Sequence, residues 1–487
     1  MRNIELRYRQ QFALYDSLFW MPTDIRIEGG FNLSMIGLSL PRIGIDLVST
    51  IYDYDLNGPI PNSMSEKPRV SVDSSAAVYD STFWRNNEVL PLTPGEQRAY
   101  RTLDSTQTLA RQFQPGGALA VLAGEGTDVL LNSLDVRFDR VEGPFLGADL
   151  AVDRLLPSLA ARGAAGYGIS DKRFKYRLSA TLFDSKKRLF GIGGEWYSRI
   201  GYVPDGEFYG PVAISIISLL FKNDYRDYFL ENGWRVFLRS APSRQLDAAL
   251  SFIAEQDYSL DAATEYSLFS RSGHYRVNPP VSEGAMRSVR FDLRLGPPRS
   301  PFDIVSRSAL ELSVERSSPR IWGSEFDFTR YWAELTWSVN TFAPDLLFPP
   351  SLRVIASGGL GLGAVPTQRM FRPDSRASGY APFGVLRGAD VKEFGGDKFV
   401  MISAEHNFRN IPFLALNIPF LYRNGMEVIL GGSVARTWVR SNPAAEGWYA
   451  EAGAGVNRIL DLFRADVTYR MKEPRGWFFT VSIGTLF

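Results

Sequence analysis

His274 and His406 are the only histidines among 487 residues, and there is no cysteine. Acid–base and metal chemistry usually needs an imidazole close to a carboxylate or a second ligand. The two histidines are far apart in the chain, and neither sits in a metal-spaced cluster. Glu405 adjoins His406, but neighbours on a strand point to opposite faces. A chain without cysteine has no disulfides, thiol nucleophiles, iron–sulfur clusters or thiolate zinc sites. No Gly-x-Ser-x-Gly elbow or Walker-type loop is present. The run Gly358-Gly359-Leu360-Gly361-Leu362-Gly363 has a nucleotide-loop composition, but no helical pattern follows it. Close strand packing against a folded-in segment is the better reading. The expectation is a protein that is not an enzyme and carries no cofactor or metal.

Charged side chains are plentiful but balanced, with 54 Lys+Arg against 53 Asp+Glu. There is no basic excess to hold a nucleic-acid backbone. From about residue 130 they alternate with apolar residues at period two. Leu134, Val136 and Phe138 alternate with Asp135, Arg137 and Asp139. Phe174, Tyr176, Leu178, Ala180 and Leu182 alternate with Lys175, Arg177, Ser179 and Thr181. Val289, Phe291, Leu293 and Leu295 alternate with Arg290, Asp292 and Arg294. In a membrane barrel the charged set lines a wet lumen and the apolar set faces lipid. The strands are long enough to cross a bilayer at a tilt, and no run of 18 apolar residues offers a helical span.

The expected fold is all-β, a transmembrane antiparallel barrel of about sixteen strands over 130–487. Approximate strand starts are 130, 145, 161, 174, 188, 233, 244, 286, 308, 326, 351, 397, 425, 447, 460 and 475. Tyr331 to Asn340 runs out of phase with Phe326 and Phe328, which predicts a bulge near Thr329. The long connections 201–232, 257–285 and 364–396 are expected to be extracellular or lumenal. Residues 212–221 (VAISIISLLF) read as a short helix packed on the barrel mouth or on a partner, or as a lumen plug.

Residues 1–75 read as short strands of a periplasmic β-rich region. Residues 76–129 form a connector, with a helix about 94–111 opened by the capping box Thr93-Pro94-Gly95-Glu96. The first residues lack a signal-peptide core and enter on an alternating strand, which suggests a truncated or processed start. At the other end Trp477, Phe479, Val481, Ile483 and Phe487 share one strand face. In a soluble protein such an edge invites aggregation, whereas a barrel closes it against its first strand. The ending also looks like the signal that barrel proteins present to the assembly machinery, which would then be a partner in this chain's own insertion.

Val385-Leu386-Arg387-Gly388-Ala389-Asp390, in the eleventh connection, is followed by Gly395-Gly396-Asp397-Lys398-Phe399 and by Ser403-Ala404-Glu405. This order resembles the BamA-like superfamily of barrel-assembly factors and two-partner secretion transporters. Phe408 to Phe413, Pro419 to Tyr422 and Asn457 to Arg464 are similar to an uncharacterised branch that usually carries an N-terminal carboxypeptidase-regulatory-like domain. The resemblance implies that Leu386, Arg387 and Gly388 fold back into the lumen and that Glu405 is an inward acidic residue. The family aromatic after Arg-Gly is Ala389 here, and Leu430 to Ala435 contain no acid to receive the arginine. Glu405, in phase with Ser403, is then the expected partner of Arg387.

The resemblance further implies a bacterial outer-membrane location. It implies action on client barrel proteins or surface lipoproteins through a seam between the first and last strands (130–139 and 475–487). A gated pore or ligand receptor, and a structural subunit of a surface complex, are the alternatives.

Overall fold

The computed structural model describes residues 2–32, 34–35, 38–39, 43–51, 134–156, 158–184, 189–203, 211–270, 272–298, 307–343, 346, 348–377, 379–439 and 447–484. The chain divides into two compact units, Met1–Gly126 and Thr127–Phe487. In the first, β1 (Arg2–Tyr15), β2 (Phe19–Asn32) and β5 (Ile43–Thr50) form an antiparallel sheet, and β3 (Ser34–Met35) pairs with β4 (Leu38–Ser39). Asp16 and Ser17 both take positive φ, 51° and 56°, and the Leu18 N–H closes the turn onto the Tyr15 carbonyl at 3.1 Å. Two successive left-handed residues make the tight reversal of this three-residue connection. The first two strands have 14 residues each, longer than the short strands expected. The expected helix about 94–111 and its connector lie outside the described residues.

The second unit is one sheet of 16 antiparallel strands in sequential order. They are β6 (Leu134–Asp139), β7 (Gly143–Leu156), β8 (Leu159–Gly168), β9 (Arg173–Phe183), β10 (Phe190–Tyr202), β11 (Tyr228–Ser243), β12 (Leu246–Ser259) and β13 (Gly284–Leu295). Then come β14 (Ala309–Ser317), β15 (Phe328–Asn340), β16 (Ser351–Gly363), β17 (Lys398–Asn407), β18 (Glu427–Trp438), β19 (Tyr449–Ile459), β20 (Phe463–Arg470) and β21 (Gly476–Ile483). A helix, α1 (Pro211–Phe221), lies in the connection between β10 and β11. Because the strands alternate in direction, this connection and those after β12 and β16 leave from the same end of the sheet.

Period-two alternation sets the polarity of the sheet, and it is the reverse of a water-soluble protein. Lys175, Glu195, Glu255, Glu315, Glu405 and Glu451 are buried on the inner face. Leu178, Trp196, Val236, Leu335, Leu430 and Phe479 are exposed on the outer one. That arrangement is stable only where the outer face meets hydrocarbon, and it makes this unit a transmembrane barrel. Among the described residues, no helix is long and apolar enough to cross a membrane.

Two expectations need correction. β11 begins at Tyr228, five residues before the expected 233, because Tyr228, Phe229 and Leu230 are all buried and so do not alternate. The bulge near Thr329 is absent. β15 pairs with β14 and β16 without a register shift. Phe328 keeps its inward phase and packs with Met286 and Val365 in the lumen, so no extra residue is needed to restore the pattern.

A cation on the outer face should be costly. Leu335→Arg, near the middle of β15, is expected to lower barrel stability by about 2–4 kcal/mol in vesicles, and Leu335→Val by much less. Urea titration of vesicle-embedded protein, followed by loss of heat-modifiable gel mobility, measures both. Equal stabilities for the two variants would place β15 away from lipid.

Candidate functional site

The connection between β16 and β17 (364–397) folds into the barrel and is held by both walls. Gln368 Nε2 donates to Asp257 Oδ2 at 2.9 Å, and Arg369 Nη2 to Glu255 Oε1 at 2.7 Å. These anchors lie on β12. The opposite anchor is Glu451 on β19, whose two oxygens accept the N–H groups of Arg387 (2.9 Å) and Gly388 (2.7 Å). The Tyr449 hydroxyl donates to Glu451 Oε2 at 2.6 Å. Arg470 Nη1 donates to the Gly388 carbonyl at 3.0 Å, and the Arg470 guanidinium also grips Glu393 at 2.6 Å. Burial works against ionisation of Glu393, but the hydrogen bonds from Arg470 outweigh it and hold the carboxyl below its usual range.

Close packing explains the small residues in this connection. Leu386 and Ala389 are fully buried with Phe371, Phe394, Phe399 and Tyr449. A Cβ on Gly388 would meet the Tyr449 hydroxyl at 2.8 Å and Arg470 Cβ at 2.9 Å, so no side chain fits there. The strand glycines of β16 serve the same connection. A Cβ on Gly359 would sit 2.5 Å from the Phe371 ring, and one on Gly361 would sit 2.6 Å from Val365.

Arg387 lies 3.8 Å from Glu405 Oε2 and 3.8 Å from Asp466 Oδ2. The nearer partner of Glu405 is Arg464, at 2.6 Å, which also grips Asp466 at 2.8 Å. With Glu451 beside it, Arg387 is thus one member of a buried five-charge cluster of Arg387, Arg464, Glu405, Asp466 and Glu451 rather than half of a pair. Burial and the neighbouring Arg464 charge push its guanidinium below the ordinary value. Reasoning from the sequence singled out Leu386, Arg387, Gly388 and Glu405 but missed Glu451, the carboxylate that holds the loop backbone. Its lumen phase with Gly453 and Gly455 was the available signal.

The last strand presents the second feature. Trp477, Phe479 and Val481 are exposed on the outer face, alternating with buried Thr480 and Ser482. Ile483 is half-buried, and Phe487 lies outside the described residues. Among the described residues, no pairing joins β21 to β6. Instead the Val481 N–H donates to the Gly379 carbonyl at 2.7 Å, and the Ala381 N–H donates to the Val481 carbonyl at 3.1 Å. His406, at the outer phase of β17, shares a 2.8 Å hydrogen bond with Thr341 and packs on Phe342 and Phe408. His274 is exposed in the connection after β12.

No family model and no curated protein matches the chain. Among solved structures it is similar to BamA from Haemophilus ducreyi lacking POTRA domains 1-3, at 12% identity and a TM-score of 0.42 over 72% of this chain and 69% of that one. It is also similar to CdiB from Acinetobacter baumannii, at 12% identity and a TM-score of 0.35 over 72% of this chain and 58% of that one. A third is Pseudomonas aeruginosa OccK10, at 13% identity and a TM-score of 0.30 over 72% of this chain and 94% of that one.

Two outcomes test the anchoring. Glu451→Ala strips three donors of their acceptor and removes one of the three acids around Arg387, at an expected cost of about 3–5 kcal/mol. Proteolysis of the connection 364–397 in intact vesicles should rise in step, and an unchanged cleavage rate would refute the anchor. In double-mutant cycles, Glu405 should couple more strongly to Arg464 than to Arg387. The reverse order would restore a dedicated Arg387–Glu405 pair.

Proposed function

We propose that this barrel sits in the bacterial outer membrane and inserts or translocates other outer-membrane or surface proteins along the β6/β21 seam. The observation that carries the reading is the indirect closure of the sheet. Val481 turns both of its backbone groups away from β20, and strand alternation places those of Trp477 and Phe479 on the same edge. In hydrocarbon an unpaired peptide group costs several kcal/mol, so such an edge favours capture of another extended segment. An incoming strand would gain main-chain hydrogen bonds there whatever its sequence, and the outward apolar side chains would select clients that alternate in the same way.

The partners in this reading are lipid, client barrels or surface lipoproteins, and the assembly machinery that inserts this chain itself. The first unit would lie in the periplasm. Leu386, Arg387, Gly388 and Glu405 would position the lumenal connection, and the residues from Trp477 to Phe487 would serve as the chain's own assembly signal. A gated pore is less well supported, because the connection 364–397 spans the lumen from β12 to β19.

Depletion of the protein followed by quantitative proteomics of the outer membrane tests this reading. A defined set of barrels or surface lipoproteins should fall together. An unchanged proteome with reduced solute uptake would overturn it in favour of a pore.

A further inference from the structure

The edge of β6 is met by a different connection, and through a side-chain acceptor rather than through main-chain pairing. The Phe138 N–H donates to Ser215 Oγ on α1 at 3.1 Å. The Pro144 carbonyl opposite Phe138 accepts from Ile169, so at this register position β6 and β7 do not bond each other. Phe138 shares the outward phase of Leu134 and Val136, yet it is buried, with the Tyr266 ring edge-on at 6.4 Å, whereas those two are exposed. On the other side, residues 379–381 run parallel to β21, with Tyr380 in register with Val481. The two covers meet. Ile214 of α1 is buried together with Ala377, Ala381 and Val385.

The chain of contacts therefore runs from β6 to α1, to residues 379–385, to β21. We infer that α1 and residues 379–385 form a displaceable wedge that closes the barrel where, among the described residues, β6 and β21 do not pair, with 379–381 occupying the edge that an incoming extended strand would take. The identity of that strand as a client segment rests on the function proposed above.

The contacts favour displacement over permanent closure. Residues 379–381 make two main-chain hydrogen bonds to β21 around a single residue, Val481. A full strand would make such pairs along the whole edge, so a longer extended segment outcompetes the short one by adding pairs at Phe479 and Trp477. The exposed apolar side chains beside that edge fit an occupant that is apolar at alternate positions. The short segment thus lowers the cost of an unpaired edge in lipid without matching what a client offers.

The absence of cysteine makes the test clean. Tyr380 and Val481 are register partners, so Tyr380→Cys with Val481→Cys locks the segment to the edge under oxidation and frees it under reduction. The probe is a fluorescent ten-residue peptide copying residues 474–483, added to the full chain in lipid vesicles. Reduced protein should bind it at least ten-fold more tightly than oxidised protein. Equal binding in both states, or none in either, overturns the wedge.

Should the double variant fail to fold, Ala381→Pro removes the N–H given to Val481 and should tighten peptide binding several-fold over the unmodified chain. Unchanged or weaker binding overturns the inference. Peptide exchange in vesicles and client loss on depletion fail separately. A wedge that exchanges without client loss sinks the proposed function alone, and client loss with a wedge that does not exchange sinks this inference alone.

Discussion

A polypeptide in hydrocarbon must pair every main-chain N–H and C=O, and this single requirement organises the barrel. Fourteen of the strands, β7 to β20, satisfy it by pairing with a neighbour on each side. The first and last strands have one strand neighbour each among the described residues, and their outer edges pose the problem that the connections answer. Ser215 reaches one edge and residues 379–381 the other.

The same requirement shapes the interior. Buried guanidinium and carboxylate groups are costly unless each is paired and hydrogen-bonded. Here they serve to tie the folded-in connection to opposite walls, Arg369 to Glu255 on β12 and the Arg387–Gly388 backbone to Glu451 on β19. A similar tie holds the rim, where Arg140, fully buried, reaches Asp224, the Arg226 carbonyl and Asn278. Charge inside and apolar surface outside are therefore two results of one alternation. Each strand delivers its polar residues to the place where connections need partners.

How much of this was legible depends on range. Strand positions were readable because alternation is a local property, and the sixteen expected starts lie within five residues of those observed. Phe328 misled because an aromatic in an otherwise polar phase looks like a slip in register, when it is a lumen residue packed on Met286 and Val365. Residues 212–221 stayed ambiguous between a mouth helix and a plug. Ile214 turns toward the connection 364–397 while Phe221 remains exposed, so the segment has some of both characters. The phase of Glu451 with Gly453 and Gly455 marks it as lumenal, but nothing local distinguishes it from the other inward acids as the anchor.

By itself the sequence determined the period of the strands, their number, the segregation of charge from apolar surface, and the small residues Gly388 and Ala389 in the lumenal connection. Those follow from side-chain chemistry acting over a few residues. Only the tertiary structure decided which carboxylate receives the connection, that Arg464 stands between Arg387 and Glu405, and that β6 and β21 are bridged by other segments. Each of these depends on bringing together residues many strands apart, and the curvature of the whole sheet sets those distances.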